Sequence, residues 1–116
     1  MTSVMSPQLM AALKEIDLAR DTILEHLAQC TSDALEEIYL LTFAKNINRP
    51  MTNRALLAMV ESGLITRKRH YRVEITAAGI FFITNISKLH ERLHELEQCS
   101  DAQIDKMYSQ RFDLLD

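Results

Sequence analysis

Residues that interrupt helices are scarce in this chain. Its 116 residues include only two glycines and two prolines, and these are Pro7, Pro50, Gly63 and Gly79. A turn-rich all-β fold needs many more such residues, so the composition favours a few long helices. Because 47% of the residues are apolar, the chain is long enough to bury one core, and we expect residues 1–116 to form a single domain.

The first predicted helix covers residues 8–29. Ser6 followed by Pro7 is typical of a helix start, since serine caps the free amides and proline suits the first helical position. The apolar residues that follow recur at helical spacing as far as Leu27. These residues therefore form one long amphipathic helix.

Two shorter helices are predicted next. Asp33 and Glu36 have capping-box spacing, which predicts a helix over about residues 34–45. A turn rich in asparagine separates it from a third helix over about residues 51–62, which ends at Gly63 because glycine favours the left-handed conformation there.

The period changes from helical to alternating after Gly63. Tyr71, Val73 and Ile75 alternate with polar residues over residues 71–76, and residues 64–69 are expected to pair with them. We therefore predict a two-stranded hairpin. Its tip near His70 lacks Gly, Asn and Asp, so the sequence assigns it no turn type.

Two helices complete the chain, over residues 77–98 and residues 101–114. The longer one carries an apolar seam in which spacings of four and three residues alternate, as in a coiled coil. The seam consists of Phe82, Ile86, Leu89, Leu93 and Leu96.

Basic residues are concentrated in residues 45–72. This segment holds seven of the 13 Lys and Arg residues but one of the 16 acidic residues, Glu61. It therefore carries a charge of +6 in a chain with a net charge of −3, and −9 remains for the other residues. This asymmetry within one small domain indicates a surface that faces a polyanion.

Two motifs carry a family resemblance. Residues 55–65, which end in Gly63-Leu64-Ile65, resemble the end of a recognition helix and the start of a wing. Residues 71–79 resemble the end of the wing, where Thr76 caps a helix and Gly79 permits close packing. On these residues, the segment 34–98 resembles the winged helix-turn-helix regulators of the MarR and PadR types. The resemblance implies a mainly α fold, in which residues 34–76 form the helix-turn-helix and a two-stranded β-wing between long terminal dimerisation helices.

The third predicted helix supplies candidate DNA contacts. At about 100° per residue, Thr52, Leu56, Met59 and Val60 face the core, and Met51, Arg54, Ala58 and Ser62 lie opposite. Arginine can pair with guanine and asparagine with adenine, and a small residue lets a helix approach the groove floor. The resemblance implies that this helix enters the major groove.

The basic hairpin is expected to contact phosphates or the minor groove. Cations also protect edge strands from aggregation, but four cations in six residues exceed that need. The predicted DNA-binding residues are Arg49, Met51, Asn53, Arg54, Ala58, Arg67, Lys68, Arg69, His70 and Arg72.

The terminal helices are expected to form a homodimer, as the resemblance implies. A twofold dimer would place two recognition helices about one turn of DNA apart. The predicted dimerisation residues are Leu13, Ile16, Phe82, Ile86, Leu89, Leu93 and Leu96.

Other classes of function lack support in the sequence. No spacing of residues is typical of a catalytic site, and we predict no enzyme activity and no cofactor. His90 and His94 could hold a metal, but no third ligand is specified, so no metal site is predicted. Two cysteines fit a reducing compartment. The longest apolar run is too short for a membrane span, and the N-terminus has no signal-peptide pattern. The expected location is the cytoplasm.

These features predict a homodimeric regulator that binds double-stranded DNA and represses transcription by covering its operator. The alternative is a winged-helix module that binds protein. The acidic residues outside the segment 45–72 could then contact the protein partner. The two differ in salt dependence, because only the DNA complex releases counterions from phosphates. The sequence names no effector ligand.

Overall fold

A computed structural model of the chain describes residues 6–112. Contacts divide the chain into two compact units, Met1–Ile83 and Thr84–Asp116. The elements of the described residues are α1 (Pro7–Cys30), β1 (Ser32–Ala34), α2 (Leu35–Phe43), α3 (Arg49–Glu61), β2 (Ile65–Lys68), β3 (Arg72–Ile75), α4 (Ala77–Glu97) and α5 (Asp101–Phe112). No helix among the described residues combines the length and the apolar character needed to cross a membrane.

The prediction of a mainly helical fold with a small antiparallel sheet is confirmed, but the expected number of strands is wrong. The sheet has three strands in the order β1-β3-β2. β1 pairs antiparallel with β3, with Asp33 opposite Val73. β1 is only three residues long and has no alternating apolar pattern. Its pairing depends on a partner about 40 residues away, so local sequence gave no signal for it.

The predicted cap of α2 is wrong for the same reason. Ala34, not Asp33, occupies the N-cap position and makes no side-chain bond there. The first amide of the helix, from Leu35, instead donates to the carbonyl of Tyr71 at 2.8 Å. Asp33 accepts a bond from the amide of Ala34 and from His26. The carbonyl of Tyr71 therefore takes the place of a side-chain cap.

The core of the first unit lies between α1, α2, α3 and the sheet. Buried Ile23, Leu24 and Leu27 of α1 meet Ile38 of α2 and Met59 of α3. The buried polar residues of this core satisfy each other: Thr52 Oγ1 donates to Thr42 Oγ1 at 2.8 Å, and Thr42 donates to the carbonyl of Tyr39. The α2–α3 junction is thus held by both apolar packing and a hydrogen-bond chain.

The two glycines have the predicted roles. Gly63 follows α3 with a φ of +75°, a conformation that suits glycine. Gly79 lies against the chain that leaves α3, and a Cβ atom there would be 2.2 Å from the carbonyl oxygen of Leu64. Thr76 caps α4 by accepting from the amide of Gly79 at 3.1 Å, and its hydroxyl donates to the carbonyl of Gly63 at 2.6 Å. These contacts fix the end of α3 against the start of α4.

The second unit contains the end of α4 and all of α5. The predicted cap of α5 is confirmed: Ser100 Oγ accepts from the amide of Gln103, and Gln103 Oε1 accepts from the amide of Ser100 at 2.8 Å. Leu96 and Met107 line an apolar cavity of about 620 Å³ in this unit. Residues 113 and 114, which were included in the last predicted helix, lie outside the described residues.

Candidate nucleic-acid interface

The start of α3 is rigidly defined. Asn48 caps the helix, since its Oδ1 accepts from the amide of Met51 at 2.9 Å, and Pro50 occupies the first turn. Asparagine at the cap and proline in the first turn both favour a helix start at this point. Arg49, Asn53 and Arg54 are therefore presented from an ordered turn, and all three are exposed.

The outward face of α3 differs in position from the predicted one. Thr52, Leu56 and Met59 are buried as predicted, but Ala55 is buried as well. This shifts the centre of the exposed face to Arg54, Leu57 and Glu61, which lie on the side opposite the buried residues.

Two predicted contacts on α3 consequently lie away from its outward centre. Met51 is half-buried and packs against the core. Ala58 lines a cavity of about 310 Å³ together with Ile16, Arg20 and Phe82. Met51 therefore contacts the Arg54 guanidinium through its sulfur from a half-buried position, and Ala58 lines the cavity rather than the basic surface.

Tyr39 of α2 organises the side chains at the start of α3. The guanidinium of Arg49 lies over the Tyr39 ring, 4.2 Å from its centroid, which is a cation–π geometry. The Tyr39 hydroxyl donates to Asn53 Oδ1 at 2.5 Å. Because Oδ1 is occupied, the amide N–H groups of Asn53 remain to donate to an acceptor such as a phosphate oxygen or a purine N7.

A cleft lies between Tyr39 and the hairpin. Arg49, Arg67 and His70 line it together with Tyr39, and its volume is about 580 Å³. We call this surface, with Asn53 at its edge, the Tyr39 cleft. Glu36 is its one acidic lining residue among the described residues. The fold thus brings together basic residues from α3 and from the hairpin that are about 20 residues apart in sequence.

The hairpin cations lie on two faces of the sheet. Side chains alternate along a strand, so Arg67 shares a face with buried Ile65, whereas Lys68 lies on the other face. Lys68 pairs with Glu74 at 3.3 Å. Arg72, opposite Lys68 in register, lies 3.5 Å from Ser32 Oγ. The structure therefore places Arg67 in the Tyr39 cleft and Lys68 and Arg72 outside it.

The hairpin tip has an unusual backbone. His70 and Tyr71 have φ angles of 62° and 54°, in the left-handed region that bulky residues rarely adopt. The carbonyl of Tyr71 accepts the bond from the Leu35 amide, which holds the tip against α2. The Tyr71 side chain is 81% exposed and projects beside the basic residues.

Five of the predicted cations take part in no ion pair. Within residues 6–112, the ion pairs do not include Arg49, Arg54, Arg67, Arg69 or Arg72. Arg49 stacks on an aromatic ring and Arg54 contacts Met51 Sδ at 3.4 Å. Both contacts orient a guanidinium without neutralising it, so the groups remain available to an anion.

The predicted dimerisation residues fall into three groups. Ile16 and Phe82 pack against the core of the first unit, and the guanidinium of Arg20 lies 4.8 Å from the Phe82 ring centroid. Leu89 and Leu93 of the second unit are 51% and 49% exposed. Leu13 is also exposed, and Ile86 and Leu96 are half-buried.

Sequence reasoning missed Tyr39 and Leu57. Tyr39 was not separated from the other apolar residues of its helix, and its contact with Asn53 spans 14 positions. Leu57 is 60% exposed although its residue type favours a core. Ala55 is buried beside the predicted core residues. The opposite side of the helix, which includes Leu57, therefore faces outward.

Comparisons with known proteins add no family to this description. No protein-family model matches the sequence, and no curated protein matches it.

Proposed function

We propose that this chain is a winged helix-turn-helix protein of the cytoplasm that binds double-stranded DNA as a homodimer and represses transcription by covering an operator. The Tyr39 cleft carries this proposal. It joins Arg49 and Asn53 of α3 to Arg67 of the hairpin on one concave surface, and clustered, unpaired cations are the electrostatic footprint of nucleic-acid binding.

The order of elements supports the winged-helix assignment. Three helices precede a hairpin, and a short strand between the first two helices completes an antiparallel sheet. In such an arrangement α3 is the recognition helix and the β2–β3 hairpin is the wing. Arg54 and Asn53 read base edges in the major groove, and Arg49 and Arg67 contact the flanking phosphates.

The apolar residues of the second unit support the proposed homodimer. Leu89 and Leu93 are four positions apart on α4 and about half exposed, as residues of a helix–helix seam are in a free protomer. A twofold axis through this seam pairs two α3 helices and gives an operator with inverted symmetry.

The test is the salt dependence of binding to a duplex pool of mixed sequence, followed by fluorescence anisotropy. Log affinity should fall with log salt by about 0.9 for each phosphate neutralised. The double variant Arg49→Ala/Arg67→Ala should reduce this slope by about 2, since each phosphate contact contributes about 1.

Lys14→Ala is the matched control, because Lys14 is an exposed cation of α1 outside the Tyr39 cleft. It should leave the slope unchanged. Equal effects of the two variants, or no binding at low salt, would contradict the DNA proposal while leaving the fold intact.

A second candidate function, docking on a protein, is favoured by one observation. Exposed Leu57 borders an apolar groove of about 240 Å³, which Leu35, Val60 and Val73 also line. Leu57→Ser would weaken such docking but should leave the salt slope of DNA binding unchanged, because a serine in its place neutralises no phosphate. Protein binding that is lost in Leu57→Ser, with no DNA binding, would favour this candidate.

A further inference from the structure

We propose that His26, Cys30 and Asp33 form a zinc-binding site at the junction of α1 and β1. The ligand atoms of these three side chains all lie within 4.8 Å of one another, and they are the one such group of three among residues 6–112. His26 Nε2 lies 2.8 Å from Asp33 Oδ2. The site does not depend on the DNA-binding proposal.

Helical spacing and a sharp turn assemble the three side chains. His26 and Cys30 are four residues apart at the end of α1 and thus lie on the same face. Thr31 then reverses the chain with a φ of 73°, an outlier for a β-branched residue. The carbonyl of Thr31 accepts from the amide of Ile75 at 2.9 Å, so the sheet holds the turn that returns Asp33 to α1.

The ligand set matches the chemistry of zinc. Zinc binds imidazole nitrogen, thiolate sulfur and carboxylate oxygen at about 2.0–2.3 Å, which places ligand atoms roughly 3.3–3.6 Å apart at tetrahedral angles. The present separations bracket that range, so modest side-chain rotations suffice. Oxygen-seeking calcium and magnesium are disfavoured by the imidazole and the thiol.

Metal binding at this site would displace protons, because zinc coordinates a deprotonated thiolate and an unprotonated imidazole nitrogen. Zinc would take an unprotonated ring nitrogen of His26, and the Cys30 thiol would release its proton to water on binding. Cys30 is exposed, which gives the ion a path to the site.

Three protein ligands leave one zinc position open. Water completes the tetrahedron, as in sites that are not closed by a fourth side chain. The alternative is a His–Asp pair that only closes the turn, beside an exposed thiol that donates to the His26 carbonyl at 3.3 Å. That alternative predicts no bound metal.

The experiment uses the full chain after removal of metal with a chelator. Cobalt(II) is titrated first as a spectroscopic substitute for zinc, and zinc is then added to displace it. One cobalt per chain should bind with a thiolate-to-cobalt charge-transfer band and tetrahedral d–d bands, and zinc should abolish both.

Cys30→Ser should eliminate the charge-transfer band. Cys99→Ser is the matched control, because the Cys99 thiol makes the same kind of contact, to the carbonyl of Glu95 at 3.6 Å, and belongs to no such group of three ligands among residues 6–112. Asp33→Asn and His26→Gln should each weaken zinc binding by at least the roughly 10- to 100-fold that loss of an outer-shell partner costs.

Circular dichroism establishes that each variant is folded before its affinity is compared. His26→Gln provides a second route to the same conclusion if Cys30→Ser fails to fold. The absence of a charge-transfer band in the native chain, or a band that persists in Cys30→Ser, overturns the zinc site. A band that disappears in Cys99→Ser also overturns it, since the thiolate would then come from elsewhere.

Discussion

At the scale of single residues, Tyr39 has the greatest influence on the candidate interface. Its ring supports Arg49 and its hydroxyl fixes Asn53. Two side chains that contact DNA in the proposed complex are thus oriented before binding. Preorganisation of this kind improves affinity because less conformational entropy is lost in the complex.

Tyr39→Phe tests this role because it removes the hydroxyl and keeps the ring. We expect a loss of about 1 kcal/mol in DNA binding, the usual net value of one hydrogen bond. Affinity for a selected duplex at fixed salt is the measurement. The salt slope should stay constant, because Arg49 keeps its charge and its ring contact. A changed slope would contradict the assigned role.

Gly79 permits a prediction about stability. Gly79→Ala would place a methyl group 2.2 Å from the Leu64 carbonyl oxygen, and we expect a loss of about 1–3 kcal/mol in the free energy of unfolding. Urea denaturation measures it. Gly63→Ala is the comparison, because no atom beyond its two chain neighbours lies within 4 Å of its added methyl group. Its cost should be only that of the left-handed backbone, about 1 kcal/mol.

At the scale of elements, the hairpin tip carries backbone strain. Tyr71 has a φ of 54° and a side chain that is 81% exposed, so it loses little burial when replaced. Tyr71→Gly should therefore raise the free energy of unfolding, because the roughly 1–3 kcal/mol of strain that it relieves exceeds the roughly 0.5–1 kcal/mol that the added flexibility of the unfolded chain costs.

Arg69→Gly is the control for that prediction. Arg69 does not belong to the residues with positive φ, so glycine relieves no strain there and adds flexibility to the unfolded chain. We expect a loss of roughly 0.5–1 kcal/mol. Urea midpoints that shift in the same direction for both variants would show that strain at Tyr71 is not the cause.

The elements also show which parts of the fold are predictable. The bounds of α1, α3 and α4 lie close to those inferred from sequence, because their caps are local: Ser6 accepts from the Leu9 amide, and Gly63 has the expected positive φ. β1 escaped prediction because its partner is distant in sequence.

The candidate sites were likewise predictable only where they depend on local sequence. The charge of residues 45–72 pointed to a basic surface, but the separation of Arg67 from Lys68 depends on strand register. The spacing of His90 and His94 indicated a possible metal pair. His26 and Cys30 have the same spacing, but the turn at Thr31 adds Asp33 as a third ligand. That third ligand is visible only in the tertiary structure.

At the scale of the whole molecule, the proposed dimer makes the second unit essential for binding. Leu89→Glu/Leu93→Glu places charges on the predicted seam and should convert a dimer into a monomer, as measured by sedimentation. Affinity for an inverted-repeat duplex should fall by at least tenfold, because the second half-site no longer adds its contacts.

Leu18→Glu controls for a general effect of charge on an exposed leucine, since Leu18 of α1 is 48% exposed and outside the predicted seam. It should sediment as the native chain does. If the Leu89→Glu/Leu93→Glu variant stays dimeric, the dimer interface lies on another surface.

The sheet order has a consequence for the sequence of folding events. Lys68 and Arg72 pair across a short loop, whereas Ser32 pairs with Glu74 across about 40 residues, and closing the longer loop costs more entropy. The β2–β3 hairpin can therefore form early, and β1 joins it late. The pairing of β1 with β3 holds Asp33 beside His26, so a metal ion bound by both would favour the completed fold over the unfolded chain.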